Sequence, residues 1–156
     1  MIYLDSSYIF KCYINEPGTR EVLSVVQNSS GCGSSLHARA EFWSGLHRRV
    51  CETVTSIRDA HKIWRQFEQD ERAGLWHWLP VNDLVVRRAC DGFERLPANV
   101  FLRSPDALHL ACAAENRFTQ IYSGDRISFG AANYFGLEGL SVYIETSPLE
   151  DSHAKQ

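Results

Sequence analysis

Short apolar runs alternate with helix-like segments along this chain, and that alternation restricts the fold more than any other feature of the sequence. Residues 1–4, 75–81 and 119–123 have strand character, and apolar residues recur at helical spacing between them. Because such alternation is typical of helices packed on both faces of a parallel sheet, we predict an α/β layer fold. Ligands of these sheets bind beyond the carboxyl ends of the strands.

The remaining segments follow from the same periodicity and from breakers such as the E-P-G sequence at residues 16–18. Thr19 is a candidate helix cap. Helices are predicted over residues 6–14, 19–27, 37–53, 56–72, 82–95 and 105–116, a helix or helical turn over 126–135, and further strands over 32–36 and 140–144. We expect one domain over residues 1–146 and a polar C-terminal tail over 147–156.

Composition supports a globular protein. The 156 residues are 44% hydrophobic and 22% charged. A chain of this length and composition can form a hydrophobic core without disulfides or structural metals. No apolar run approaches the roughly 20 residues of a membrane helix, so we expect no membrane association. The first ten residues lack the basic flank of a signal peptide, and we therefore expect a cytoplasmic protein.

The net charge of −3 neither supports nor excludes a phosphate-rich substrate. Of the 16 basic residues 13 are arginine, which binds phosphate in bidentate fashion better than lysine does.

The sequence lacks the motifs that several function classes require. The five cysteines contain no C-x-x-C pair and the six histidines no H-E-x-x-H, so a disulfide framework, a structural zinc site and a zinc protease are disfavoured. Neither G-x-x-x-x-G-K-[ST] nor G-x-G-x-x-G occurs, which excludes the nucleotide-binding enzymes that carry these two motifs. The D-S-S sequence at residues 5–7 lacks the second acid of a D-x-D phosphatase or of a receiver-like phosphoacceptor domain.

Four acidic residues occupy unusual places. Asp5 and Asp125 directly follow predicted strands, although an acid there is about as often a simple helix cap. Asp106 lies in a helix that is apolar on nearly every side, where an unpaired carboxylate is unfavourable. Glu41 shares a helical stripe with Ala38, Gly45 and Arg48, so it either faces a ligand or lies on a solvated face with Arg48 as its partner.

If these carboxylates meet in one cleft, their mutual repulsion raises their pKa values, and a hard divalent cation removes the conflict. Mg²⁺ and Mn²⁺ prefer such oxygen ligands. Such a cation can activate a water molecule and stabilise phosphate oxygens during displacement at phosphorus.

Four stretches of the chain resemble PIN-domain ribonucleases, and within them the VapC-type toxins of bacterial toxin–antitoxin pairs. They are IYLDSSYIFKCYINEPG, SSLHARAEFWSGLHRR, SPDALHLACAAE and YSGDRISFGAANYFGLEGL, in the family's order. The D-A-L-H-L-A segment is the most specific of them. The proline at position 105 and the serine at position 123, where the family more often has threonine, are departures.

The resemblance implies a three-layer α/β/α fold with a short central parallel sheet. It places the family's metal-binding and catalytic acids at Asp5, Glu41, Asp106 and Asp125, and it implies Mg²⁺ or Mn²⁺ as cofactor. The implied activity is endonucleolytic cleavage of RNA, with a dimeric protein and a neutralising antitoxin as partner. The alternative is a PIN-like module that binds RNA or protein without cleaving.

Other residues carry weaker expectations. Ser7 and Ser123 fall where the family often has a hydroxyl near the acids, so they either orient those acids or act as local caps. Four arginines are candidates for binding the RNA backbone, with ordinary surface charges as the alternative: Arg48, Arg49, Arg103 and Arg126. We expect His109 to be buried and hydrogen-bonded rather than a general base, and the charged stretch 56–74 to form a protruding helical pair.

Overall fold

The computed structural model describes residues 1–142, and its strands form a parallel sheet. Strands β1, β2 and β3 pair in that order, and β4 pairs with β5. A parallel bridge between Leu4 and Tyr122 joins the two parts, which gives the order β3-β2-β1-β4-β5. The strands are Ile2–Tyr3 (β1), Cys32–Ser35 (β2), Trp76–Leu79 (β3), Gln120–Tyr122 (β4) and Glu138–Leu140 (β5).

The strand order reverses between β1 and β4, because the chain proceeds outward from β1 to β3 and then returns to place β4 on the other side of β1. In open parallel sheets this switch point leaves a crevice at the carboxyl ends of the strands, where ligands bind. Asp5 follows β1, and Asp125 lies three residues after β4. Both acids therefore lie at the crevice.

The helices connect the strands and begin at recognisable caps. The side chains of Asp5, Ser56, Asn82 and Asp125 each accept hydrogen bonds from backbone amides of the helix that follows. The helices are Ser6–Lys11 (α1), Thr19–Gln27 (α2), Ala38–Cys51 (α3), Ile57–Arg72 (α4), Asp83–Arg95 (α5), Ser104–Glu115 (α6) and Arg126–Ala131 (α7), followed by a 3₁₀ helix over Ala132–Phe135.

Two hydrophobic clusters lie on opposite faces of the sheet. Leu4 belongs to the cluster formed with α1 to α4, and its neighbour Tyr3 belongs to the cluster formed with α5, α6 and the 3₁₀ helix. Because adjacent strand residues point to opposite faces, the sheet is covered on both sides. The predicted three-layer α/β/α architecture is confirmed. Among the helices of the described segment, none combines the length and the apolar character that crossing a membrane requires.

Most predicted elements are present, but three details were wrong. The cap of α2 is Gly18 in the left-handed conformation, because the Thr19 hydroxyl turns back to donate to the carbonyl of Ile14. The charged stretch 56–74 contains a single helix, α4, which packs against α3. The last strand begins at Glu138, two residues earlier than predicted; residues 143 and 144 of that prediction, and the tail, lie outside the described residues.

Candidate functional site

Asp5 is the most enclosed of the four acids, with 5% of its surface exposed. Its Oδ1 accepts hydrogen bonds from the Ser7 hydroxyl at 2.6 Å and from the Tyr8 amide at 3.1 Å. Its Oδ2 accepts a hydrogen bond from the Ser123 hydroxyl at 2.5 Å. The carboxylate is thus fixed from both β1 and β4, and the two serines singled out by the sequence both orient it.

Asp125 approaches Asp5 through the loop that follows β4. The Ser123 hydroxyl that donates to Asp5 also accepts the Asp125 amide at 3.1 Å, and the Gly124 amide donates to the Ser7 hydroxyl at 3.0 Å. A Cβ on Gly124 would lie 3.1 Å from that hydroxyl, so the glycine permits the close approach. One Asp125 oxygen, Oδ1, caps α7 and leaves Oδ2 directed elsewhere.

Asp106 lies in the first turn of α6 and is paired with a cation from its own chain. Arg103 donates from Nε to Asp106 Oδ2 at 2.9 Å, and its Nη2 lies 3.7 Å from Asp125 Oδ2. The guanidinium therefore bridges the carboxylate at the start of α6 and the carboxylate in the loop after β4. Since a positive charge already lies between Asp106 and Asp125, this part of the site is suited to a cation.

Glu41 lies in the first turn of α3 and contacts two histidines. Its Oε2 is 2.8 Å from His109 Nε2 and 3.4 Å from His37 Nε2. In the alternative interpretation of a solvated face, Arg48 was the partner considered for Glu41; Arg48 pairs instead with Glu52 at 2.8 Å. The expectation that His109 is buried and hydrogen-bonded is confirmed: it is 1% exposed, and its Nδ1 lies 3.1 Å from the Tyr3 hydroxyl.

The electrostatics of the acids reflect their crowding. Burial raises the pKa of Asp5, against the opposing effects of His109 and of its three hydrogen bonds. Burial also raises the pKa of Asp106; the Arg103 guanidinium opposes this, whereas the charges of Asp125 and Glu41 add to it. An additional cation would relieve this penalty on the ionised carboxylates.

Glu41 and His37 are shifted in the other direction. Burial alone would raise the pKa of Glu41, but the hydrogen bond and charge of His109, together with His37 and Ser6, lower it. Burial and the neighbouring His109 lower the pKa of His37 to about 4, although Glu41 and the Pro105 carbonyl favour its protonated form. His37 is therefore neutral at pH 7.

A cleft of about 560 Å³ adjoins the acids. Its lining includes Glu41 and Asp125, and also Arg48 and Arg49, two of the arginines considered for RNA binding. Arg49 pairs with Glu16 across the cleft at 3.2 Å. Arg103 lies at the acids, as described above, and Arg126 is the first residue of α7, next to Asp125.

The structure thus brings all four sequence-predicted acids to one crevice: Asp5 and Asp125 are linked through Ser123, Asp106 and Asp125 through Arg103, and Glu41 interacts electrostatically with Asp106. Their oxygen-rich donor set fits a hard divalent cation, and so do the raised pKa values of Asp5 and Asp106. Sequence reasoning missed His37, although its spacing of four residues from Glu41 at the start of one helix was a local signal that could have found it. It also missed the partners of His109, because no local pattern reports a contact between residues 68 positions apart.

The fold and this acidic crevice define an α/β protein whose carboxylates gather at the switch point of a short parallel sheet. The PIN domain family model matches residues 2–132, which is most of the chain. The chain therefore belongs to the PIN-domain family, as its sequence segments had indicated. Among curated proteins, none matches the sequence significantly.

Solved structures with the same fold include three bacterial proteins of low sequence identity. Mycobacterium tuberculosis VapC20, a sarcin–ricin loop cleaving toxin, is 17% identical, with a TM-score of 0.65 over 88% of this chain and 99% of its own. Rickettsia felis VapBC2, bound to a promoter DNA fragment, is 13% identical, with a TM-score of 0.64 over 90% of this chain and 98% of its own. FitAcB of Neisseria gonorrhoeae is 16% identical, with a TM-score of 0.69 over 90% of this chain and 96% of its own. At these identities the likeness concerns the fold.

Proposed function

We propose that this chain is an endoribonuclease that depends on Mg²⁺ or Mn²⁺ and acts as the toxin of a toxin–antitoxin pair. The observation that carries the proposal is the convergence of Asp5, Glu41, Asp106 and Asp125 at the switch point of a PIN-family fold. Four separate segments of the chain supply these acids, the loop after β1, α3, α6 and the loop after β4.

In the proposed mechanism the four carboxylates hold the divalent cation. When bound, such a cation lowers the pKa of a coordinated water and offsets negative charge on phosphate oxygens. Ser7 and Ser123 keep the Asp5 carboxylate in a fixed orientation by donating to both of its oxygens. Asp125 contributes Oδ2, since its Oδ1 is committed to the α7 amides.

The cleft next to the acids is where we place the RNA backbone. Arg48 and Arg49 line it, each paired with a glutamate in the free protein. Both side chains carry a permanent charge and can exchange these carboxylates for phosphates. Arg103 and Arg126, at the edge of the acidic crevice, are the remaining candidates for phosphate contacts.

The biological assignment draws on the fold neighbours. VapC20 is a toxin that cleaves the sarcin–ricin loop, and VapBC2 binds promoter DNA. By analogy we propose an RNA substrate in the cytoplasm, a protein antitoxin and a homodimeric active form for this chain.

The direct test is RNA cleavage by the purified full chain with Mg²⁺, with Mn²⁺ and with EDTA, on a panel that includes tRNA and ribosomal RNA fragments. Asp5→Asn and Asp106→Asn should reduce cleavage to background. The matched control is Asp91→Asn, which removes an exposed carboxylate from α5 and should cleave as the native chain does.

Loss of cleavage in both folded acid variants, with Asp91→Asn unaffected, would support the proposal. Undiminished cleavage by Asp106→Asn or in EDTA would refute the carboxylate mechanism. A folded chain that binds RNA from the panel but cleaves none of it would favour the alternative, a PIN-like binding module.

A further inference from the structure

Two histidines and Glu41 form a second group of candidate ligands beside the four carboxylates. His37 precedes α3, Glu41 lies one turn later on the same helix, and His109 enters from α6. One ligand atom from each of the three residues lies within 4.8 Å of the others. The group differs chemically from the acidic set, because two of its three donors are imidazole nitrogens.

The distances suit a small tetrahedral ion. Zinc bonds of 2.0–2.1 Å with tetrahedral angles separate neighbouring ligand atoms by about 3.3 Å. Glu41 Oε2 lies 3.4 Å from His37 Nε2 and 2.8 Å from His109 Nε2. The first distance already matches, and the second has only to lengthen when an ion replaces the hydrogen bond.

The other nitrogen of each imidazole is held by a hydroxyl group. His37 Nδ1 is 2.7 Å from the Ser35 hydroxyl, and His109 Nδ1 is 3.1 Å from that of Tyr3. A hydroxyl can donate to an unprotonated nitrogen or accept from a protonated one. Both Nδ1 atoms can therefore carry the proton while both Nε2 atoms present lone pairs to an ion, and such partners orient the histidines of metal sites. In that tautomer His37 Nε2 gives up its 3.2 Å hydrogen bond to the Pro105 carbonyl, which the ion replaces.

We propose that His37, Glu41 and His109 form a binding site for a borderline divalent transition-metal ion, with Zn²⁺ as the principal occupant. Imidazole suits Zn²⁺, whereas Mg²⁺ is bound by carboxylates and waters. Three protein ligands leave one position of a tetrahedral ion open. Because Glu41 also belongs to the acidic set, Zn²⁺ held here withdraws it from the Mg²⁺ ligands; this inhibitory consequence rests on the proposed function, whereas the binding does not.

Binding is measured on the metal-free full chain, with Zn²⁺ affinity obtained by competition with a chromophoric chelator. Co²⁺ serves as the spectroscopic probe, because its visible ligand-field absorption distinguishes tetrahedral from octahedral coordination. His37→Gln and His109→Gln should each weaken Zn²⁺ binding about tenfold or more and abolish the tetrahedral Co²⁺ spectrum. Tyr3→Phe, which removes only the hydroxyl that orients His109, should weaken binding by about tenfold.

Two further variants locate the ion. His77→Gln, on the exposed side of β3, should bind Zn²⁺ as the native chain does. Asp106→Asn should retain Zn²⁺ binding while it loses Mn²⁺ affinity, since Asp106 belongs only to the acidic set. Circular dichroism checks the fold, and His37→Gln serves alone if His109→Gln does not fold, because His37 is the less buried of the two.

Unchanged Zn²⁺ affinity in the folded histidine variants would overturn the proposal, as would an equal loss in His77→Gln. Loss of Zn²⁺ binding in Asp106→Asn as complete as in the histidine variants would place the ion among the carboxylates and refute the separate site. RNA cleavage is not measured in this experiment, so failure of the proposed nuclease activity leaves its result unaffected.

Discussion

Removal of the Arg103 side chain should tighten binding of a divalent cation to the acidic crevice. In the free protein its guanidinium lies 2.9 Å from Asp106 Oδ2 and 3.7 Å from Asp125 Oδ2. These are oxygens that an ion bound by the same carboxylates would use. Arg103 is therefore a resident competitor, and a cation has to displace it and tolerate its positive charge nearby.

The magnitude follows from the exposure of the pair. The side chain of Arg103 is 64% exposed and that of Asp106 is 16% exposed, so solvent screens much of their attraction. Exposed ion pairs contribute about 0.2–1 kcal/mol. Loss of a competing interaction of that size lowers the dissociation constant of the divalent cation by about 1.4- to 5-fold. The gain should shrink at high salt, because the pair is accessible to counterions.

Isothermal titration of Mn²⁺ into the metal-free chain measures this change for Arg103→Ala. The matched control is Arg87→Ala, which breaks a similarly exposed ion pair with Asp83 on α5 and should leave Mn²⁺ affinity unchanged. Weaker Mn²⁺ binding by Arg103→Ala would refute the reasoning, because it would mean that the arginine holds the carboxylates in their binding positions. An affinity equal to that of the native chain would show that Arg103 does not compete.

Three further predictions concern stability and titration. Burial raises the pKa of Asp5, and such a carboxyl destabilises the fold as pH rises from its unfolded-state pKa to its raised folded-state pKa. Metal-free Asp5→Asn should therefore resist urea better than the native chain at pH 7 but not at acid pH below both pKa values, and an equal difference at both would contradict this. A Cβ on Gly92 would lie 2.2 Å from the buried ring of Phe135, so Gly92→Ala should destabilise by about 1–3 kcal/mol in urea unfolding. The control Gly130→Ala, with no atom within 4 Å of its Cβ, should be neutral or stabilising. The His37 ring should titrate near pH 4 by NMR in the metal-free protein, and a value above 6 would mean that burial does not govern it.

The layer architecture could be predicted from the sequence because it depends on local periodicity and on the alternation of element types. The errors arose where a distant partner decides the structure. The strand at Glu138–Leu140 begins where Glu138 pairs with Gln120 of β4, whereas the apolar run that suggested the strand begins at residue 140. The Thr19 hydroxyl is occupied by the turn before α2, which no propensity rule for helix caps describes.

The candidate site shows the same division. Asp5 and Asp125 could be found because an acid directly after a strand has a defined place in a parallel sheet. Asp106 could be found because its helix is apolar on most sides. The pairings that could not be predicted are those of Arg103 with Asp125 and of His109 with Glu41, since each depends on how the starts of α3, α6 and α7 face one another. The pairing of Arg103 with Asp106, three residues away, is local.

The two groups of ligands arise from one structural arrangement, the meeting of the first turns of α3 and α6. Asp106 and His109 lie three residues apart on α6, and His37 and Glu41 lie four apart at the start of α3, so each helix directs one carboxylate and one imidazole toward the crevice. In the metal-free protein the contact of His37 Nε2 with the Pro105 carbonyl, 3.2 Å away, links the two helix starts. Because Glu41 contacts both histidines and interacts electrostatically with Asp106, the two proposals assign this one side chain to both donor sets, the oxygen donors proposed for Mg²⁺ and the mixed donors proposed for Zn²⁺.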